Sequence, residues 1–233
     1  YIKAQQQLEL RLVYGMYPDV LNHFGNEHEI LKNLTSSYLY KDILALANIR
    51  KPEVLEKIVK ALAFQIGSEV SYNELAQLVG VDKNTVSDYI DLLEKAFVVF
   101  RLNSFSRNLR NEIKTNRKIY FYDNGIRNMV IGNFQSFELR QDKGALWENF
   151  LISERMKVLN LKKSMAQPYF WRTTTQQEID YVEVEADKIS AFEFKWNPMK
   201  NAKIPKSFSD AYQPDFKVVK KDNFREFIMP DLN

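Results

Sequence analysis

Apolar side chains recur every three or four positions along the first part of the chain, which is the spacing of one face of a helix. This spacing predicts helices over residues 5–15, 27–46 and 53–66. The third helix follows Pro52, and proline is favoured in the first turn of a helix. We therefore expect residues 1–52 to form a helical segment.

Residues 71–95 carry the signals of two short helices joined by a tight turn. Ser71 and Glu74 form a capping box that opens the first helix. Gly80 ends that helix, and Asp82 caps the second one. Two short helices joined in this way predict a helix-turn-helix.

After residue 96 the apolar positions alternate, which is typical of strands. Strands are predicted over residues 97–102, 118–122, 169–172, 178–184, 189–196 and 216–219, with helices over 146–159 and 205–212. The helix-turn-helix and the first two strands amount to a winged helix, which we place at residues 53–135. Residues 136–233 predict an α/β domain, so the whole chain is expected to be of the α+β or α/β class.

The composition is that of a globular protein and excludes several kinds of site. The chain has 233 residues, 45% hydrophobic and 27% charged, and no run of about 18 apolar residues that would cross a membrane. It has no cysteine and two histidines. Thiolate zinc sites and disulfides are therefore excluded, and a histidine-based triad has little material. This usage is typical of a cytoplasmic protein, and we expect no membrane partner.

Basic residues concentrate in one short stretch, although the net charge of the chain is only +3. Residues 101–118 hold six basic side chains and one acidic side chain, which predicts contact between the wing and the phosphates of DNA. An acidic protein surface is the alternative partner. The six basic residues are Arg101, Arg107, Arg110, Lys114, Arg117 and Lys118.

The second helix of a helix-turn-helix usually reads bases in the major groove. Lys83, Asn84 and Thr85 lie in its first turn and can reach base edges. Residues 82–95 also carry four acidic side chains against two lysines, and these acids would repel phosphates. The pattern therefore favours DNA contact by the wing over base-specific contact by the helix.

The densest group of charged residues lies on the strands at 178–184 and 189–196. If these strands form a hairpin with its tip at residues 186–187, Asp180 lies opposite Glu193 and Glu178 lies opposite Lys195. Alternation then puts the four side chains on one face and the aromatic side chains on the other, buried face. Carboxylates that converge in this way can hold a divalent cation such as Mg²⁺. The alternative is a solvated hairpin face with cross-strand ion pairs.

Asp180 followed by Glu193-x-Lys195 resembles the PD-(D/E)xK motif of the restriction-endonuclease-like fold. The resemblance implies that Asp180 and Glu193 bind Mg²⁺ and that Lys195 orients water or stabilises developing charge. It also implies a completing carboxylate on the first helix of the domain, where Glu148 matches. Trp196 departs from the pattern, because a small residue and a glycine commonly follow the lysine.

The order of segments along the chain resembles the C-terminal region of a large group of prokaryotic AAA-type ATPases. The resemblance implies an ATP-binding domain before Tyr1 that contacts this chain, and a homo-oligomer. ATP would bind only to that domain, because this chain has no Walker-type phosphate loop. The segments that carry the resemblance are residues 15–20, 40–43, 71–95, 118–126, 146–150, 178–182 and 192–195.

Three functions are consistent with the sequence. The first is a metal-dependent deoxyribonuclease that the winged helix delivers to DNA. The second is a non-catalytic module that binds DNA or protein and regulates the ATPase. The third is a transcription regulator that uses the helix-turn-helix alone, which the acidic second helix disfavours.

Overall fold

The computed structural model describes residues 2–37, 43, 51–106 and 117–229. The chain divides into two compact units. The first comprises Tyr1–Arg101 and Ile119–Asn149, and the second comprises Leu102–Lys118 and Phe150–Asn233. No helix within the described ranges is both long and apolar enough to cross a membrane.

The first unit is built mainly from helices. The elements are α1 Ile2–Tyr14, α2 Pro18–Asn22, α3 Glu27–Leu34, α4 Pro52–Phe64, α5 Tyr72–Val79, α6 Lys83–Lys95 and α7 Asn124–Ile131, then a 3₁₀ turn at Phe137–Leu139 and α8 Lys143–Leu161, which continues into the second unit. The predicted helices are confirmed at α1, α4, α5 and α6, whereas α2 and α7 were not predicted.

The helix predicted over residues 27–46 is α-helical at Glu27–Leu34, and residues 35–37 continue as a wider helical turn. Ile43 is also helical, whereas residues 38–42 and 44–46 lie outside the described residues. Thr35 Oγ1 donates a hydrogen bond to the carbonyl of Leu31 at 2.7 Å. A hydroxyl bonded to the carbonyl four residues earlier is known to bend helices. The part of the resemblance at residues 40–42 lies outside the described residues.

Side-chain caps fix the start of both α5 and α6, as predicted. Ser71 Oγ accepts a hydrogen bond from the N–H of Glu74 at 3.3 Å. Gly80 ends α5 with a φ of 75°, a conformation that favours glycine. Asp82 Oδ1 accepts from the N–H of Asn84 at 2.8 Å and so opens α6.

Six strands of the described chain form a mixed sheet. The strands are β1 Val99–Ser104, β2 Arg117–Phe121, β3 Gln167–Arg172, β4 Glu178–Glu185, β5 Lys188–Lys195 and β6 Asp215–Lys220, and the further helices of the second unit are α9 Lys206–Tyr212 and α10 Phe224–Ile228. The order in the sheet is β2-β1-β3-β4-β5-β6. β1 is parallel to β3 and β5 is parallel to β6, whereas β4 is antiparallel to both of its neighbours.

The two strands predicted as the ribbon of the winged helix are neighbours at one edge of this sheet. Asn103 of β1 pairs with Tyr169 of β3, and Ser104 pairs with Phe170. A two-stranded ribbon standing alone leaves both outer edges without hydrogen-bond partners, and joining a larger sheet supplies them on one side. Alternation along a sequence predicts a strand but not its neighbour, so the pairing of β1 with β3 is known only from the structure.

The hairpin of β4 and β5 has the predicted register. Tyr181 pairs with Phe192, and the pairing continues to Glu185 and Lys188 on either side of the tip. Ala186 in the tip has a φ of 52°, so the turn closes without a glycine. This register brings Asp180 and Glu193 to adjacent positions on neighbouring strands.

Both faces of the hairpin are covered, whereas the sequence predicted only one buried face. On one face Ala191 belongs to a core cluster with Phe208 of α9. On the other face Phe192 packs against Phe227 of α10, with ring centroids 4.8 Å apart. The two helices therefore remove both faces from water at the middle of the hairpin.

Candidate functional site

A β-bulge in β4 sets the position of Asp180. Tyr169 of β3 pairs with Val182, but Trp171 pairs with Ile179, so β4 has one residue more than β3 in this interval. Val182 and Ile179 consequently join the same core cluster although they are three residues apart. The bulge breaks the strict alternation that the sequence analysis assumed for β4.

The Asp180 carboxylate is held against β5. Its Oδ2 accepts a hydrogen bond from the N–H of Phe194 at 2.7 Å. Lys195 Nζ lies 2.6 Å from Glu193 Oε2 and 3.8 Å from Asp180 Oδ2. The structure thus brings together the three residues of the motif, with the lysine within ion-pair distance of both carboxylates.

The two carboxylates are largely withdrawn from water. The side chains of Asp180 and Glu193 are 16% and 11% exposed, and that of Lys195 is 29% exposed. The pKa of Glu193 is raised to about 7, first by burial and then by the charge of Asp180, against the lowering effect of Lys195. Burial also raises the pKa of Asp180, while the Phe194 N–H and Lys195 lower it.

This donor set fits a hard divalent cation. The charge of Asp180 raises the pKa of Glu193, and a cation between the two carboxylates would neutralise that charge. Carboxylate oxygens are also the ligands that Mg²⁺ prefers. Within the described ranges, no group of three or more His, Cys, Asp or Glu side chains is arranged to hold a metal ion. Asp180 and Glu193 would therefore be the protein ligands from this hairpin, and water or substrate oxygens would complete the coordination.

The sequence predicted that Glu178 faces Lys195. In the structure Glu178 has other partners, because the bulge changes the direction of its side chain. Its Oε1 lies 2.5 Å from Lys118 Nζ, and its Oε2 lies 3.7 Å from Arg172 Nη1. Lys118 is 2% exposed, and its ammonium lies 5.3 Å from the centre of the Phe170 ring. A side chain this buried cannot reach a DNA phosphate, so we reassign Lys118 to this ion-paired cluster. Sequence reasoning missed this role, although a lysine within an apolar strand is a signal for a buried partner.

Arg101 is engaged within the first unit. Its guanidinium pairs with Asp91 and Glu94, the second at 2.5 Å, and its Nε donates to the Tyr72 hydroxyl at 2.7 Å. Two of the acids expected to repel DNA thus neutralise an arginine expected to attract it. Of the other basic residues predicted to contact DNA, Arg117 is half-buried, and Arg107, Arg110 and Lys114 lie outside the described residues.

The predicted base-reading residues lie at the start of α6. Lys83 and Asn84 are exposed, and Thr85 is half-buried. The Thr85 hydroxyl donates to Asp82 Oδ2 at 2.6 Å, so it serves the helix cap. Lys83 and Asn84 therefore keep the accessibility that DNA contact requires.

Glu148 belongs to the first unit. The Tyr120 hydroxyl donates to its Oε1 at 2.5 Å. Gly67 also faces this carboxylate, since a Cβ built on it would lie 3.6 Å from Glu148 Oε2. The role of Glu148 as a completing metal ligand stays a prediction.

Comparison with protein-family models assigns both parts of the chain. Residues 5–136 match a domain of unknown function, DUF8612, and the chain belongs to this family because the match covers more than half of it. Residues 143–227 match a second domain of unknown function, DUF4143. The first match ends at residue 136 and the second begins at residue 143. The boundaries between the compact units lie elsewhere, after residues 101, 118 and 149.

The chain also has a curated relative in Haemophilus influenzae, described as an uncharacterized protein. The two are 28% identical over 182 residues, which is 76% of this chain and 42% of the relative. The chain therefore spans less than half the length of that relative. No solved structure matches the chain significantly.

Proposed function

We propose that the second unit is a Mg²⁺-dependent nuclease domain of the PD-(D/E)xK type, acting on DNA. The observation that carries this proposal is the position of Lys195, 2.6 Å from Glu193 and 3.8 Å from Asp180. A nuclease of this kind needs two oxygen ligands for a metal and one cation beside them. The hairpin of β4 and β5 supports all three from one rigid element.

Each side chain has a distinct role in this proposal. Asp180 and Glu193 would hold the metal, and the Phe194 N–H fixes the direction of the Asp180 carboxylate. Bound Mg²⁺ would supply Lewis-acid polarisation of the phosphoryl oxygen. Lys195 retains some exposure and would stabilise the negative charge that develops on the phosphate oxygens.

We further propose that this region works as the C-terminal part of a longer cytoplasmic AAA-type ATPase. The greater length of the Haemophilus relative is consistent with a further domain in such proteins. The ATP site and homo-oligomeric assembly would belong to that domain. The exposed Lys83 and Asn84 would contact DNA through the helix-turn-helix.

Calorimetric titration with Mn²⁺ and Mg²⁺ at pH 8 tests the metal ligands. Asp180→Asn should lose affinity at least about tenfold, because it removes one of two charged ligands. Asp187→Asn is the matched control, since it makes the same change at the exposed tip of the same hairpin. Lys195→Ala should abolish metal-dependent cleavage of DNA while the domain stays folded. Failure of the unaltered chain to bind either metal would overturn the proposal.

A non-catalytic regulatory module is the second candidate. Two observations favour it: Lys195 is already paired with Glu193, and the described residues offer no third metal-binding carboxylate in a cluster. The melting temperature separates the candidates, because a ligand that binds only the folded state must raise it. An unchanged melting temperature in millimolar Mg²⁺, together with no cleavage, would favour the regulatory module.

A further inference from the structure

β5 and β6 are parallel and end side by side, with Lys195 paired to Lys220 in the register. The segment from residue 195 to residue 222 holds seven lysines and three aspartates. The loop at residues 196–205 leaves β5 directly after Lys195, and its Lys200 and Lys203 are exposed. Positive charge is therefore concentrated at the end of the strand that carries the candidate site.

Lys220 gives this loop a defined shape. Its ammonium donates to the carbonyl of Pro198 at 2.9 Å and to Asn201 Oδ1 at 2.8 Å. The N–H of Lys200 donates to the carbonyl of Asn197 at 3.0 Å, which closes a tight turn. The Lys200 side chain is thus presented to solvent by a turn that Lys220 holds in place.

Trp196 adds an aromatic ring to the same end of β5. The ring is half-buried, and Lys221 Nζ lies 5.6 Å from its centroid. An aromatic ring beside a cation is the combination that binds single-stranded nucleic acid, because unpaired bases stack on the ring and phosphates contact the cation. The same residue departs from the small residue that usually follows the motif lysine.

We propose that Trp196, Lys200, Lys203 and Lys221 form a surface, here called the strand-end surface, that binds single-stranded nucleic acid at the end of β5. This proposal rests on the proposed nuclease function, to which it adds the form of the substrate. An unpaired strand is favoured over duplex because a base can stack on Trp196 only when it is not enclosed between neighbouring base pairs. It is also favoured over an acidic peptide, which would match the lysines but not the ring.

Quenching of intrinsic fluorescence by an oligothymidylate tests the surface. The measurement is made in EDTA at low salt, so that neither metal binding nor cleavage contributes. Trp147 and Trp171 are buried, so quenching by the oligonucleotide reports on Trp196. Trp196→Leu should remove the quenching and weaken binding roughly 5- to 100-fold, the range for one stacked base.

A lysine variant and its control test the electrostatic part. Lys200→Gln/Lys203→Gln/Lys221→Gln should reduce the slope of log affinity against log salt by about 2, since three phosphate contacts are lost. The control is Lys162→Gln/Lys163→Gln/Lys188→Gln, which removes the same charge from exposed side chains away from the Lys195 end of β5. Its affinity and salt slope should stay close to those of the unaltered chain.

Three results would overturn the strand-end surface. They are no binding of oligothymidylate, equal losses in the two triple variants, or equal binding of polyglutamate. Tighter binding of duplex than of single strand would overturn the choice of substrate form. The strand is bound in EDTA, so a failed metal titration of the unaltered chain together with intact oligothymidylate binding would reject the nuclease function alone.

Discussion

Gly15 and Asp123 are in direct contact although 108 positions separate them, and a Cβ built on Gly15 would lie 2.1 Å from Asp123 Oδ1. Asp123 Oδ2 accepts a hydrogen bond from the N–H of Met16 at 2.6 Å, and Oδ1 caps α7 through the N–H of Ile126 at 3.1 Å. The segments at 15–20 and 118–126, which carry part of the family resemblance, thus meet. Their contact has a structural role, because both oxygens of the Asp123 carboxylate accept hydrogen bonds from backbone N–H groups.

Gly15→Ala should destabilise the first unit by more than its backbone conformation alone explains. Gly15 has a φ of 80°, which costs an alanine about 1–3 kcal/mol, and the contact with Asp123 adds to that cost. Gly25→Ala is the matched control, since its φ is 91° and nothing lies within 4 Å of its Cβ position. Urea denaturation of both variants measures the difference. Equal losses would mean that the Asp123 contact adjusts without cost.

The raised pKa of Glu193 predicts a pH dependence of stability. The pKa of Glu193 is about 7 in the folded protein and has an ordinary value of 4.5. Between pH 4.5 and pH 7 the folded state therefore binds a proton that the unfolded state does not bind. This stabilisation is complete below about pH 4.5 and is lost as the pH rises through 7. The unfolding free energy of the unaltered chain relative to Glu193→Gln should therefore fall by about 1–3 kcal/mol between pH 5 and pH 8 in EDTA. Parallel pH profiles would contradict the assignment.

Lys118→Met should destabilise the second unit by about 2–4 kcal/mol, because it leaves Glu178 without its nearest counter-ion. Adding Glu178→Gln to this variant should restore part of the loss, since the uncompensated charge is removed. Denaturation of the single and double variants measures the coupling between the two residues. A variant that lost DNA affinity without losing stability would return Lys118 to the nucleic-acid contacts.

Arg155 joins β4 to the C-terminal helix of the second unit. Its Nε and Nη2 donate to the two oxygens of Glu183 at 2.6 and 2.7 Å, and its Nη1 donates to the carbonyl of Phe227 at 2.8 Å. Arg155→Lys cannot make all three bonds, so amide exchange in α10 should accelerate by about tenfold or more. Arg225→Lys, an exposed change on α10 itself, should leave the exchange rates unaltered.

The register of the hairpin was an assumption that put the tip at residues 186–187, and the structure has this register. The two strands themselves were predictable because alternating apolar positions are a local signal. Helix caps were predictable for the same reason, since Ser71 and Asp82 act on N–H groups within three residues of themselves. Interactions between residues this close in sequence can be predicted from the types of those residues alone.

The bulge at Asp180 and the partner of β1 were not predictable. One extra residue in a strand looks the same as regular alternation when the residues on both faces are apolar, as they are around Val182. The pairing of Asn103 with Tyr169 joins residues that are 66 positions apart, and no local signal specifies it. These two features determine where the side chains of Glu178 and Lys118 lie. The ion pair between them is therefore known only from the structure.

The second unit is discontinuous along the chain, since it includes Leu102–Lys118 as well as Phe150–Asn233. A gene fragment that starts at residue 143, where the second family match begins, would encode Glu178 without Lys118 and β3 without β1. Recombination at the junction of the two family matches would separate the same partners. The residues of both family matches should consequently be expressed as one piece, because a fragment that begins at residue 143 lacks part of the second unit.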